Sequence, residues 1–135
     1  MGAWGVGAFD NDTSCDWLNN LGRVDNLSLI TQTIADILES DEDYLEADAA
    51  CEAIAACEVI ARLKGQWETR DARRENVDRW VLAHPITVSS DLVQSAIQTL
   101  DRILTPPSEL LELWQENDAS EWLASIKNLR ERLSF

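Results

Sequence analysis

The stretch EDYLEADAACEAIAACEVIARLKG, residues 42–65, decides the fold of this chain. It holds seven alanines, lacks proline and ends in glycine. Projected at about 100° per residue, one side carries Ala47, Ala50, Cys51, Ile54, Cys57 and Ala61. The nearly opposite side carries Leu45, Ala49, Ala56, Val59 and Leu63. A helix that is apolar on both sides is enclosed by others, and alanines let those others approach closely. The sequence therefore predicts a central helix over about residues 42–64, ended by Gly65.

The rest of the chain repeats the three- and four-residue spacing of amphipathic helices. Two predicted helices run from about 12 to 21 and from 27 to about 40. The next covers 67–83 and ends at a break at His84-Pro85. Another begins at a cap at Ser89 or Ser90 and runs to 104. Pro106-Pro107 is expected to open a short helix. Two capping-box patterns, Thr13 with Asp16 and Asp118 with Glu121, are expected to start the first and last helices. Strand signals are nearly absent. The prediction is one all-α domain over 1–135, a bundle of about six or seven helices around the alanine-rich one, with a glycine- and aromatic-rich N-terminal arm and little or no strand.

Charge is distributed unevenly along the chain. The chain has 11 basic and 25 acidic residues, a net charge of −14. Residues 1–60 hold 13 acidic residues against Arg23 alone, so 1 − 13 = −12, whereas residues 61–135 give 10 − 12 = −2. Nucleic acid and anionic membranes reward clustered Lys and Arg, so neither is expected as a partner. The acidic excess instead favours a basic protein, recognised by the first three helices.

The beginning of the sequence and the cysteines indicate the compartment. No basic segment followed by an apolar one, as in a secretory signal, stands at the start. The three cysteines are an odd number without CxxC spacing, and Cys51 and Cys57, six residues apart on one predicted helix, lie about 120° apart around its axis and cannot bridge each other. Buried, reduced thiols in a cytoplasmic protein are expected.

The opening GAWGVGAFDND, residues 2–12, places three glycines and two aromatic residues before acidic ones. In a structural interpretation the arm winds tightly, Trp4 and Phe9 insert into the core, and Asp10 or Asp12 accepts hydrogen bonds from amides at the helix start. In a functional interpretation the glycines line a groove with Trp4 at its mouth. Asp10, Asp12 and Asp16 would then converge as ligands.

Carboxylates recur on the predicted central helix. Asp48 and Glu52, four residues apart, form a like-charge pair. Glu58 faces the alanine-rich side, where a lone carboxylate is costly, and Arg62 is its expected partner. These residues are either a solvated face with one internal ion pair or a site for a cation or a basic partner. With His84 as the only histidine, Ser-His-Asp, Cys-His and Glu-x-x-His metal schemes have little support, so no catalytic residue and no cofactor is assigned.

Several segments resemble an uncharacterised bacterial family known as domain of unknown function 4259. They are the opening G-x-W-G-x-G-x-F-D-N-D, the Tyr44–Asp48 run, Ala55–Ala61, Leu100–Leu104, Glu112–Trp114 and Trp122-Leu123. The resemblance implies a small cytosolic all-helical protein and carries no activity, substrate or cofactor. The residues that match its pattern are Trp4, Gly5, Gly7, Phe9, Asp10, Asn11, Asp12 and Glu58. Families of this kind occur among the immunity proteins of contact toxins.

Three functional hypotheses follow. The first is a non-enzymatic acidic helical protein that binds a basic protein, of which a toxin-immunity antagonist is one form. The second is an enzyme that binds a metal or small ligand through carboxylates of the arm and the central helix, drawn from Asp10, Asp12, Asp48, Glu52 and Glu58. The third is a structural or oligomerising module, favoured if Arg70, Arg73 and Arg74 pair internally with the acidic residues.

Overall fold

The computed structural model describes residues 5–41, 43–66 and 75–135, and of residues 75 and 76 the backbone alone. Within these ranges the chain forms seven helices and no strand, which confirms the all-α prediction. They are α1 Asp12–Leu21, α2 Ser28–Leu38, α3 Ala47–Leu63, α4 Glu75–Ala83, α5 Ser90–Ile103, α6 Glu109–Gln115 and α7 Ser120–Ser134. None of the described helices is both long enough and apolar enough to cross a bilayer.

Helix α3 is the central element, as predicted. All six other helices contact it, and every residue from Ala53 to Arg62 is buried. Several of its alanines are fully inaccessible, so neighbouring helices pack directly on its backbone. Helix α3 ends at Leu63 with Lys64 as its C-cap, and Gly65 follows with φ of 85°, the left-handed conformation that glycine adopts most readily.

The predicted start of α3 at about residue 42 is wrong, because the helix begins at Ala47. Residues just before it pair with the α5–α6 connection instead. The Leu45 N–H donates to the Pro107 carbonyl at 3.2 Å, and the Glu109 N–H donates to the Leu45 carbonyl at 2.8 Å. The Glu109 carboxylate then accepts from the Ala47 N–H at 2.8 Å. A free amide in the first turn of α3 is thus satisfied from a distant helix.

Other helix ends follow the sequence signals to different degrees. Helix α1 starts at Asp12 with Asn11 as its cap, so the predicted Thr13–Asp16 capping box is wrong. Ser89 caps α5 as expected, through a bond from the Leu92 N–H at 3.1 Å. Asp118 accepts from the Ser120 N–H at 2.9 Å and from its hydroxyl, two residues on, rather than acting in a box with Glu121. Short-range polar signals therefore locate helix starts to within one or two residues.

Three further predictions concern the connections between helices. Helix α2 ends at Leu38, slightly before the predicted end. Helix α4 ends before His84-Pro85 as expected, and the part of its predicted segment from 67 to 74, with Trp67, lies outside the described residues. Helix α6 begins at Glu109, two residues after the proline pair that was expected to open it.

The three cysteines are free, as predicted. Cys51 and Cys57 are buried within α3, and Cys15 is half-buried on α1. Burial raises the pKa of Cys51 to about 11, with smaller contributions from Asp48 and Glu52. Burial also raises the pKa of Cys57. These thiols stay protonated at neutral pH and behave as small apolar groups.

Candidate functional site

The N-terminal arm folds around the carboxylate of Asp10. The Asp10 N–H donates to the Gly7 carbonyl at 3.1 Å. In return, the Gly7 N–H donates to Asp10 Oδ2 at 3.0 Å. A Cβ on Gly5 would lie only 2.5 Å from that same oxygen. Asp10 itself is buried. The arm is therefore a tight turn in which Gly5 makes room for a buried carboxylate.

This geometry corrects one prediction and confirms another. Asp10 or Asp12 was expected to satisfy amides at the start of α1, but Asn11 does so, accepting from the Ser14 N–H at 2.8 Å. Asp12 is exposed. Phe9 inserts into the core as predicted. Trp4, expected either in the core or at the mouth of a groove, lies outside the described residues.

Two small cavities flank the described part of the arm. Each has a volume of about 20 Å³, and Val6, Gly7, Ala8 and Ile54 line both. A volume of this size holds roughly one water molecule. The described part of the arm thus packs against α3, and the spaces beside it are no larger than a water.

Glu58 lies in the centre of the molecule between two arginines. Its Oε2 is 3.0 Å from Arg62 Nε and 2.7 Å from Arg132 Nη1, and its Oε1 is 2.8 Å from Arg132 Nη2. Arg62 Nη1 also lies 2.7 Å from Asp78 Oδ1. Glu58 and Arg62 are each 2% exposed. The predicted Glu58–Arg62 pair is confirmed as part of a larger group, called here the buried ionic cluster, formed by Glu58, Arg62, Asp78 and Arg132.

The buried ionic cluster is balanced, with two carboxylates and two guanidinium groups. It joins α3, α4 and α7, and Arg62 also lies over the ring of Phe9 at 5.7 Å from its centroid. A buried charge is tolerated only when it is paired and hydrogen-bonded, as these are. The cluster therefore holds three helices and the arm in register. It also removes two of the chain's cations from the surface.

A second group of carboxylates lies at the surface of α2 and α3. The pKa of Glu52 is raised by partial burial and then by the negative charges of Asp48 and Asp36. Asp36 and Asp48 are exposed, and the Thr13 hydroxyl of α1 donates to Asp48 Oδ1 at 3.1 Å. We call Asp36, Asp48 and Glu52 the acidic face. Like charges from two helices meet there, beside α1.

The candidate carboxylates of the central helix therefore separate into two places. Asp48 and Glu52 lie together in the acidic face, whereas Glu58 lines one of the small cavities beside Gly7. In the described ranges no group of three or more His, Cys, Asp or Glu side chains is arranged to hold a metal ion. Sequence reasoning missed Asp36, Asp78 and Arg132, because each acts across helices that have no fixed spacing in the sequence. Arg70, Arg73 and Arg74, the expected internal partners of the acidic residues, lie outside the described residues.

The match to a family model extends over nearly the whole chain. The model described as "Domain of unknown function (DUF4259)" matches residues 2–125 of the 135. The chain belongs to the DUF4259 family. Its description names no activity, so membership assigns no role to the arm, the buried ionic cluster or the acidic face. No curated protein matches the chain, and no solved structure does.

Replacement of Glu52 by glutamine is expected to stabilise this DUF4259 protein at neutral pH, by a few tenths of a kcal/mol. The folded state raises the pKa of Glu52, so its ionisation disfavours folding, and the penalty appears as pH rises through the folded pKa. Below the pKa of the unfolded chain the carboxyl is protonated in both states, and the gain vanishes. Urea unfolding of both proteins at pH 7 and at about pH 3.5 measures the difference. A gain that persists unchanged in acid would contradict the electrostatic origin.

Proposed function

We propose that this DUF4259 protein is a non-enzymatic binding protein whose acidic face receives a basic surface of a partner protein. The observation that carries the proposal is the crowding around Glu52. The negative charges of Asp48 and Asp36 both raise the pKa of Glu52. Side chains that repel one another in the free protein gain attraction when a cationic surface covers them.

The disposition of the cations supports the same proposal. Arg62 and Arg132 are held by Glu58 and Asp78 inside the molecule. Arg130 pairs with Asp101 through a contact of 2.9 Å between α7 and α5. The net charge of −12 in residues 1–60 belongs to the part of the chain that contains α1, α2 and most of α3. The long-range field of this charge would accelerate encounter with a basic partner.

The experiment compares two triple variants that remove the same charge from different surfaces. Asp36→Asn/Asp48→Asn/Glu52→Gln neutralises the acidic face. Glu116→Gln/Glu121→Gln/Glu131→Gln neutralises three exposed carboxylates of the other half of the chain. Wild type and both variants are used as bait in cell lysate at about 20 mM and about 150 mM salt, and each captured protein is purified for direct affinity measurement.

A basic protein that binds wild type and the second variant equally, and the acidic-face variant at least about tenfold more weakly, is the expected result. Its affinity should fall with salt. Equal loss in both triple variants would show that only net charge matters and would contradict an acidic-face site. Absence of any salt-dependent basic partner would remove the basis of the proposal.

A further inference from the structure

The C-terminal end of α4 contacts the connection between α1 and α2 through two stacked aromatic rings. The indole N–H of Trp80 donates to the Val24 carbonyl at 3.0 Å. The ring of His84 stacks on Trp80, with centroids 4.5 Å apart and an interplanar angle of 22°. His84 Nε2 lies 3.5 Å from Asp25 Oδ1. The two rings therefore reach two successive residues of the same connection.

The hydrogen bond at the other ring nitrogen decides where His84 carries its proton. Its Nδ1 lies 2.8 Å from the Trp80 carbonyl oxygen. A carbonyl oxygen only accepts hydrogen bonds, so Nδ1 is the donor and satisfies one of the last carbonyls of α4. A neutral imidazole has a single N–H. In the neutral ring, Nε2 therefore presents a lone pair to the Asp25 carboxylate, with no proton between them.

Protonation of the ring makes this contact attractive. The imidazolium has an N–H at both nitrogens, so Nδ1 keeps the Trp80 carbonyl while Nε2 can donate to Asp25. Histidine gains its proton between about pH 8 and pH 5. His84 is the single histidine of the chain, and its side chain is 22% exposed, so the ring exchanges protons with solvent.

The charged groups around the ring act in opposite directions. Asp25 favours the imidazolium. Arg23 of the same connection and Arg79 of α4 line a groove together with Trp80, and their positive charges oppose it. The Asp25 side chain is 97% exposed, and exposed ion pairs contribute little. The effect of Asp25 is therefore expected to be small, and replacing Asp25 is the way to isolate it.

We propose that the His84–Asp25 contact is a pH-sensitive link that holds the end of α4 more tightly on the α1–α2 connection in mildly acidic solution. The stabilisation is present while the ring is protonated, and it is lost as the pH rises and the ring gives up its proton. The Trp80–Val24 hydrogen bond needs no proton from solvent, so α4 stays in place when the link is lost. This inference does not rest on the acidic face or on its partner.

The test measures urea unfolding at about pH 5.5 and about pH 8. Asp25→Asn removes the charge that faces His84. His84→Asn keeps a donor near the position of Nδ1 and removes Nε2. Asp41→Asn is the matched control, because Asp41 is an exposed aspartate of another connection, between α2 and α3.

At about pH 5.5, Asp25→Asn is expected to lower the folding equilibrium constant about two- to fivefold relative to Asp41→Asn. At about pH 8 this difference should vanish. With His84→Asn already present, Asp25→Asn should have the same effect at both pH values. An effect of Asp25→Asn that is equal at both pH values in the wild-type background would overturn the proposal. So would a pH dependence that survives the loss of His84.

Discussion

Replacement of Glu58 by leucine is expected to lower the free energy of unfolding by about 3–5 kcal/mol. The substitution removes the carboxylate that accepts three hydrogen bonds from Arg62 and Arg132. Arg132 would then be a buried cation without its bidentate partner, while Arg62 would keep its contact with Asp78. Breaking one side of a buried pair costs more than the pair contributes, because the remaining charge stays desolvated. The total free energy of unfolding of a domain of this size is about 5–15 kcal/mol.

Urea unfolding followed by tryptophan fluorescence measures this loss. The control on the same helix is Glu52→Gln, at the partly solvated acidic face, which should not destabilise the protein. The double variant Glu58→Leu/Arg132→Leu tests whether the buried charge of Arg132 causes the loss, since it also removes that charge and leaves Arg62 paired with Asp78. The double variant should be more stable than Glu58→Leu alone. A single variant within about 1 kcal/mol of wild type would show that the buried ionic cluster does not hold the core together.

Replacement of Gly5 by alanine is expected to cost about 1–3 kcal/mol, the usual range for overpacking. The new Cβ would lie 2.5 Å from Asp10 Oδ2 and 3.1 Å from its Cγ. The Asp10 carboxylate cannot swing away freely, because it is buried and accepts the Gly7 N–H. The methyl group must therefore displace either the arm or this hydrogen bond. Thermal unfolding of the variant measures the cost.

Gly22→Ala is the matched control for this substitution. Gly22 follows α1 with φ of −61°, and the nearest atom to an added Cβ lies 3.4 Å away, so alanine fits there. A Gly→Ala change at a compatible site stabilises by about 0.4–1 kcal/mol. A double-mutant cycle with Asp10→Ala then identifies the clash, since Gly5→Ala should cost less once the carboxylate is gone. Equal costs with and without Asp10 would contradict the proposed contact.

The central helix could be predicted from sequence because its signal is local and dense. Apolar residues lie on both sides of the helix formed by residues 47–63, so other helices must enclose it. Its start could not be predicted, because Glu109, 62 residues away, supplies the acceptor for the Ala47 N–H. Nothing in the composition of residues 42–46 distinguishes a first helical turn from an extended segment that pairs with another loop.

The same distinction separates the predicted and missed parts of the candidate site. The Glu58–Arg62 pair follows from a four-residue spacing on one helix. No sequence spacing connects Arg132 with Glu58, because the two residues lie on different helices. Only the packed structure shows how the helix of Arg132 is turned towards α3. Asp36 and Glu52 likewise meet across two helices. Pairings within a helix are readable from one sequence, whereas pairings between helices require the angle and register at which they pack.

The Glu58–Arg132 contact also joins residues that lie far apart in the sequence. Arg132 lies 74 residues after Glu58, so the two meet only after most of the chain has closed into a loop. A nascent chain that has produced α3 without α7 carries a carboxylate in its most apolar helix before the bidentate partner exists. Contacts between residues so far apart in sequence stabilise the chain only after the loop-closure entropy has been lost, and they slow folding. The central helix is synthesised before α7, but its burial is complete only when α7 packs against it.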